Sequence, residues 1–404
     1  MLGYLILFLL LTPIERNVVS LDDGRTTFEF ECDYVRDVNF LEGRKEWVIN
    51  YGEPKKDDVE SIFARLAFVD GRVIRLNDIR APRCHQIAEL GNDGLCLGYR
   101  GRDVKPLVLE WRDDDTIMQL CKSPIVGDKA MGQFRTHQHL PALPHYYFEW
   151  DRGGYCYWRF DTATRTFDES KGSLIAANNS ELIKPREELK GFNQAFFIPG
   201  ADVCPSSKHV LYAMGTGLRP TFFSLREDLK SQQGFVAEEI GGDHFERVPL
   251  PVFERGYTYG CAGLTPNQRF AISVGAEQIH DPNKVYKGRV RYHVIIWDVT
   301  SGDAIKYEMF DWDEFWSPLP NAICLSDDTI AVILGRTVIF YDDVGKGDWR
   351  YRPFKKRASR IIEYNAGVGI IEGHIWVATL SHFSTPSRVI LDLIPLPTKA
   401  EEAD

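Results

Sequence analysis

Two stretches decide the fold: Leu264-Thr-Pro-Asn-Gln-Arg-Phe-Ala-Ile-Ser273, and His293-Val-Ile-Ile-Trp-Asp298 running into Val299-Thr-Ser-Gly-Asp303. The first is an apolar residue, a tight polar turn and an alternating apolar strand. The second is an apolar strand that ends in a polar turn. Val203-Cys-Pro-Ser-Ser-Lys-His-Val-Leu-Tyr-Ala213 and Leu325-Ser-Asp-Asp-Thr-Ile-Ala-Val-Ile333 repeat the first pattern. Thr221-Phe-Phe-Ser-Leu225 and Thr337-Val-Ile-Phe-Tyr-Asp342 repeat the second. Cys204 to Thr265 and Thr265 to Ser326 are both separations of 61 residues (265 − 204 and 326 − 265). A fixed period of this size marks stacked supersecondary units, none of which covers its own apolar faces alone.

Outward from these stretches the chain keeps the same character. Arg65-Leu-Ala-Phe-Val69 and Arg72-Val-Ile-Arg-Leu76 flank Asp70-Gly71, a strong hairpin signal because both turn positions need positive φ. Further hairpins are expected from Val18 to Phe30 around Asp22-Asp23-Gly24, and from Ile87 to Tyr99 around Asn92-Asp93-Gly94. Tyr146 to Phe167 is expected to turn at Asp151-Arg-Gly-Gly154 and again near Asp161-Thr162. Helical periodicity is scarce, and its best candidate is the short stretch Ser180 to Leu189.

The segment Leu264-Thr-Pro-Asn-Gln-Arg-Phe-Ala together with Ile295-Ile-Trp-Asp-Val-Thr-Ser-Gly302 resembles a blade of a WD40-type β-propeller. In that family a Ser-Pro-Asp-Gly turn precedes the second strand and Trp-Asp closes the third. The resemblance runs from about residue 200 to 345. The family's Gly-His dipeptide is missing from the matching places, and Trp297-Asp298 is the one Trp-Asp in a repeat position. The resemblance implies an all-β fold: a single ring of about seven four-stranded blades with minor helical excursions.

Units centred near residues 30, 90, 150, 204, 265, 326 and 370 account for most of the chain. Stacking such blades around an axis covers their faces and leaves only short edges. Closing the ring is expected to pair strands from the two chain ends, placing Val18 to Phe30 beside Ile375 to Leu393. The expected organisation is an apolar segment 1–16, a propeller 17–396 and a polar tail 397–404.

The composition agrees with a folded chain. Of 404 residues, 44% are hydrophobic and 26% charged, which excludes a disordered protein. Lys and Arg number 48 against 58 Asp and Glu, a formal charge of −10 that disfavours general nucleic-acid binding. Met1 to Leu11 is apolar over a length that suits a signal-peptide core and falls short of a spanning helix. Val18 and Ser20 fit a cleavage site, but no Lys or Arg precedes the apolar run, and cleavage after Ser20 would damage the first hairpin. Secretion or membrane association and a cytoplasmic location both stand as readings, the second with the segment packed on the main domain. The eight cysteines lie far apart with no Cys-x-x-Cys pair, which favours buried free thiols over a metal knuckle.

Chemistry-bearing motifs are sparse. Gly-x-Ser-x-Gly, Ser-x-x-Lys, His-Glu-x-x-His and the phosphate loop are all absent. This points away from an enzyme while leaving open a site assembled from several blades. Ser20-Leu-Asp-Asp-Gly-Arg-Thr26 spells a single Asp-box, as in sialidase-like propellers, where it stabilises a hairpin and takes no part in catalysis. His137, His139 and His145 lie close together but lack a carboxylate or thiolate at a convincing spacing, so a surface loop is the simpler reading. Trp111-Arg-Asp113-Asp114-Asp115 reads as a solvated hairpin turn.

Two candidate sites remain. Trp349, Arg350, Arg352, Lys355, Lys356, Arg357 and Arg360 form a basic stretch interleaved with aromatics, suited to an acidic or phosphate-bearing partner. The bland alternative is an outer strand whose charges guard a sheet edge. Asp311, Trp312, Asp313, Glu314 and Trp316 combine carboxylates with indoles, as a carbohydrate site would. The expectation is a non-enzymatic, monomeric propeller that binds a protein or peptide partner through blade-connecting loops, with no cofactor and no metal. The alternative is a secreted or membrane-associated propeller that binds or hydrolyses carbohydrate.

Overall fold

The computed structural model describes residues 13–19, 25–51, 60–90, 94–99, 107–113, 115–122, 137–138, 145–151, 154–167, 172–173, 175–176, 210–214, 220–227, 235–240, 258–280, 288–312, 321–334, 337–345, 349–352, 364–381 and 386–396. Within them every regular element is a strand.

The chain opens with β1 (Ile14–Val19) and β2 (Thr26–Cys32). Next come β3 (Val35–Leu41), β4 (Glu46–Tyr51), β5 (Glu60–Val69), β6 (Arg72–Arg75) and β7 (Ile79–Pro82), which form one sheet. A second sheet holds β8 (Gln86–Glu89), β9 (Leu95–Tyr99), β10 (Leu107–Trp111) and β11 (Ile117–Lys122). A third holds β12 (His137–Gln138), β13 (Tyr146–Asp151), β14 (Gly154–Asp161), β15 (Thr166–Phe167) and β16 (Gly172–Ser173). A fourth holds β17 (Ile175–Ala176), β18 (Val210–Met214), β19 (Pro220–Glu227) and β20 (Phe235–Ile240). The fifth is the meander β21 (Thr258–Leu264), β22 (Phe270–His280), β23 (Gly288–Asp298) and β24 (Ala304–Trp312). The sixth is the meander β25 (Asn321–Cys324), β26 (Ile330–Leu334), β27 (Thr337–Tyr341) and β28 (Trp349–Arg352). Finally β29 (Tyr364–Ile371), β30 (His374–Ser381) and β31 (Ser387–Pro395) join β1 and β2 in a seventh sheet, in the order β1-β2-β31-β30-β29.

Pairing is antiparallel throughout except between β17 and β20. Successive antiparallel meanders, with both chain ends sharing one sheet, are the topology of a β-propeller. The terminal pairing is the expected one: Thr26 lies opposite Leu393, Phe28 opposite Leu391 and Phe30 opposite Val389. The partition of the chain differs from the expected one in two places. The units centred at 30 and 370 are one sheet, and the Asp70-Gly71 hairpin belongs to a separate sheet spanning residues 35–82. Asp70 and Gly71 do adopt positive φ, 50° and 76°. The stretch Ser180 to Leu189 lies outside the described residues, as do most of the Asp-box and residues 1–12.

Two compact units divide the chain: residues 1–127 with 358–404, and residues 128–357. In the first unit Phe28, Phe30, Trp47, Trp376, Leu391 and Leu393 share one apolar cluster. Trp376 meets Phe40 at a centroid distance of 5.1 Å and Trp47 edge-on at 5.8 Å. A second cluster gathers Leu41, Val48, Phe63, Ile87, Leu109 and Trp111. In the second unit Phe270, Ile272, Tyr292, Trp297, Ile330 and Tyr341 form the core. Each fully buried aromatic of this kind contributes about 2–3 kcal/mol from apolar area alone.

The repeat turns explain their own sequence. Thr265 closes the 265–270 turn: its Oγ1 accepts the Phe270 amide at 3.0 Å, and Asn267 Oδ1 takes the Arg269 amide at 2.9 Å. In the next repeat Ser326 Oγ takes the Thr329 amide at 3.0 Å. The two turns then meet, since the Asn267 amide donates to Asp327 Oδ1 at 2.8 Å. Inside the blade the Trp297 indole N–H donates to Ser273 Oγ at 2.9 Å, which satisfies an otherwise buried donor.

Candidate functional site

A cleft of about 510 Å³ opens in the first unit, lined by Arg65, Arg75, Leu76, Asn77 and Asp115. Arg65 sits on β5, the strand that pairs with both β4 and β6, and is nearly fully buried. A buried guanidinium needs paired anions. Glu46 on β4 supplies a bidentate pair at 2.8 Å and 2.9 Å. Asp115, in the β10–β11 turn, supplies a second carboxylate at 2.6 Å.

The turn that carries Asp115 is tight. The Arg112 amide donates to the Thr116 carbonyl at 2.9 Å, the Asp115 amide donates to the Arg112 carbonyl at 3.0 Å, and Asp115 has φ of 62°. Asp tolerates this left-handed backbone better than most residues. Its carboxylate also receives Arg44 at 3.4 Å and the Trp111 indole N–H at 3.4 Å. Arg44 lies over the Trp111 ring, 4.3 Å from its centroid, and Arg65 lies 5.3 Å from the same centroid. Burial would raise the Asp115 pKa, but hydrogen bonding and charge from Arg65, with Trp111 and Arg44, hold it below the usual carboxylate range. The hydrogen bonds from Glu46 push Arg65 in the opposite direction, above its ordinary value.

The other wall is built on Arg75. It grips Asp78 through both carboxylate oxygens, at 2.7 Å and 2.8 Å, and meets Glu15 of β1 at 2.5 Å. Its guanidinium stands 5.6 Å from the Phe30 ring centroid and 5.7 Å from that of Tyr51. Tyr51 donates its hydroxyl to Asp78, and burial together with that hydrogen bond pushes its pKa up to about 12. The cleft therefore joins β1, the sheet of residues 35–82 and the β10–β11 turn through charge pairs.

Sequence reasoning did not select these residues. Arg65 and Arg75 were read as ordinary members of a hairpin, and Asp115 as part of a solvated turn. No motif links positions 46, 65, 75 and 115, whose side chains meet only because β10 and β11 stand beside β5. The usable signals were an arginine inside the apolar run Arg65-Leu-Ala-Phe-Val69 and the indole of Trp111 four residues before Asp115.

The sequence-predicted sites fall elsewhere. Asp311 and Trp312 end β24, where Arg291 holds the Asp311 carboxylate at 2.6 Å and 3.1 Å. Asp313, Glu314 and Trp316 lie outside the described residues. Trp349, Arg350 and Arg352 belong to β28, which pairs with β27 as the last strand of its sheet. Lys355, Lys356, Arg357 and Arg360 lie outside the described residues. His137 is in β12, His145 has φ of 69°, and His139 is outside the described residues. Among the described residues no cluster of His, Cys, Asp and Glu has the makings of a metal site. Cys32, Cys84, Cys96, Cys121 and Cys324 are free thiols, and Cys84, Cys96 and Cys324 are buried.

No protein-family description matches the chain, and no curated protein matches it. Solved structures do resemble it. The WD40 domain of Toxoplasma gondii coronin aligns over 92% of this chain and 87% of its own, at 9% identity and a TM-score of 0.44. The periplasmic gluconolactonase of Pseudomonas aeruginosa aligns over 95% of this chain and 99% of its own, at 10% identity and a TM-score of 0.46. The β-propeller domain of Myceliophteria thermophila Cps50 (Swd1) aligns over 95% of this chain and all of its own, at 9% identity and a TM-score of 0.40. The fold is WD40-like and all-β, on the evidence of its own sheet topology. Likeness at this distance assigns no activity.

Proposed function

We propose that the chain is a non-enzymatic binding propeller over residues 17–396 that takes a protein or peptide partner, and that the cleft around Asp115 receives a basic side chain of that partner. The carrying observation is the orientation of the ion pairs. In each pair lining the cleft the carboxylate is the outward member: Asp115 is 40% exposed against 6% for Arg65, and Asp78 and Glu15 are each 30% exposed against 22% for Arg75. An approaching ligand meets carboxylate oxygens first. Glu15, Glu46, Asp78 and Asp115 also outnumber Arg44, Arg65 and Arg75 by one charge. Leu76 offers an apolar wall for an aliphatic stem and Asn77 an amide. The formal charge of −10 favours encounter with a basic partner at moderate ionic strength.

The basic stretch 349–360 is proposed as a second contact, for an acidic or phosphate-bearing segment. Arrays of eight-residue peptides with a fixed central lysine, arginine, norleucine or glutamate test the cleft. Full-length protein should be retained on lysine- or arginine-centred peptides, and Asp115→Asn should weaken retention about tenfold. Equal retention on norleucine-centred peptides would remove the basic pocket, and no retention on any peptide would remove the peptide-binding reading itself.

A further inference from the structure

The sheet of residues 35–82 and the sheet of β8–β11 are joined at a carboxyl group that has no cation for a partner. Glu89, the last residue of β8, points its carboxyl into the turn between β3 and β4. Its Oε1 accepts the Gly43 amide at 2.8 Å, and the flanking amides of Glu42 and Arg44 also donate to it. A Cβ at position 43 would stand 3.0 Å from that oxygen, so glycine permits the close approach. The neighbouring charges are engaged elsewhere. Lys45 pairs with Glu42 at 2.6 Å, Arg44 reaches Asp115 and Glu46, and Glu46 is held by Arg65. Across the β8–β9 ladder Glu89 faces Cys96, a neutral neighbour. Further along β8, Gln86 donates to Asn39 of β3 at 2.6 Å, a second and uncharged tie between the same two sheets.

We propose that Glu89 and the β3–β4 turn form a proton-controlled latch between these sheets, closed while the carboxyl is neutral and opened progressively as it ionises. A carboxylate in this position loses hydration without gaining a counter-ion, and the Glu42 charge opposes it further. Burial is the largest cause, and with Glu42 it outweighs the three amides and pushes the pKa from an ordinary 4.5 up to about 7. Lifting the turn returns water to the carboxyl and restores the ordinary value. The native value is the raised one, so the closed form holds its full advantage below the ordinary pKa and loses it as pH rises through the native pKa. Between those limits the open-to-closed ratio grows by a total of about 300-fold.

The turn also carries Arg44. Opening withdraws its guanidinium from Asp115 and from the face of Trp111, which makes the cleft more acidic above neutral pH. The latch itself stands on β8 and the turn, whether or not the cleft takes a peptide.

Hydrogen exchange on the full chain, read by mass spectrometry on peptides covering residues 41–46, tests the latch. Exchange rates are divided by the intrinsic rate at each pH. Protection should fall about 70-fold between pH 5 and pH 8 in the wild type and stay flat in Glu89→Gln. Peptides covering 270–273 should stay flat in both. Glu42→Gln removes a like charge and should shift the midpoint to lower pH, which keeps the test decisive if Glu89→Gln fails to fold. Flat protection at 41–46 in the wild type, an equal slope in Glu89→Gln, or an unmoved midpoint in Glu42→Gln would each overturn the latch.

Discussion

Arg65 is the position where the architecture is most exposed to a single change. Arg65→Met keeps a long flexible side chain but removes the charge, leaving Glu46 buried beside β5 with no comparable partner. Stranding one member of a buried pair costs about 3–5 kcal/mol. The bidentate geometry at 2.8 Å and 2.9 Å, with Arg65 6% and Glu46 11% exposed, places this pair at the upper end of that range. Arg65→Met/Glu46→Leu removes both charges and should recover most of the loss, because the desolvation cost disappears with them. Asp115→Asn should behave differently. Its carboxylate is 40% exposed, so solvent screens it and the loss should stay within about 1 kcal/mol. The Asp115 pKa lies below its ordinary value. Its contribution is therefore present above the unfolded value and lost as pH falls through the native one. Wild type and Asp115→Asn should differ at neutral pH and converge in acid. Urea midpoints for the four proteins, measured at neutral and acidic pH, provide the check. A loss below 1 kcal/mol for Arg65→Met, or a double variant no more stable than the single one, would refute the buried-pair reasoning. A loss of several kcal/mol for Asp115→Asn would show that Asp115 is committed to the fold and not held in reserve for a ligand.

Three further outcomes are expected. Gly369→Ala should cost about 1–3 kcal/mol, since its Cβ would stand 2.7–2.8 Å from the Trp376 ring, which Phe40 and Trp47 hold in place; combining it with Trp376→Leu should give a clearly smaller loss than the sum of the two singles, and strict additivity in a urea double-mutant cycle would contradict the packing account. Ser273→Ala leaves the Trp297 indole N–H unpaired in the core and should lower stability by about 1–3 kcal/mol, whereas Ser273→Thr keeps the hydroxyl and should retain part of it, as thermal unfolding would report. Replacing Lys355, Lys356 and Arg357 with serine should weaken retention on phosphate-bearing peptides with a reduced salt dependence; an unchanged salt slope would retire the basic stretch as a contact.

The legible parts of this protein are those where a local rule and the tertiary environment ask for the same residue. Asp70-Gly71 turns where both φ values must be positive, and Thr265 closes the repeat turn with its own hydroxyl. Trp297-Asp298 closes the third strand of its blade as the repeat pattern implies. The 61-residue spacing corresponds to a physical contact, because it sets Asn267 against Asp327. The misplaced boundaries have an equally plain cause. Residues 35–82 carry strand signals as strong as their neighbours', but the repeat spacing is erratic there, so nothing in the order of residues says which strands share a sheet. The cleft was illegible for a different reason. Arg65, Glu46 and Asp115 are separated by 19 and 50 residues along the chain, and each taken alone reads as an ordinary strand or turn residue.

By itself the sequence determined the class of structure: short strands, polar turns, a repeated unit and a pairing of the two chain ends. Those are consequences of periodicity and turn chemistry, which act over a few residues and are written in order along the chain. Tertiary structure alone decided the electrostatics. Burial raises the Glu89 carboxyl only because the β3–β4 turn closes over it, and Asp115 is strongly acidic only because Arg65 arrives from another sheet. Charge and hydration depend on neighbours in space, and in a chain built from stacked sheets those neighbours come from distant parts of the sequence.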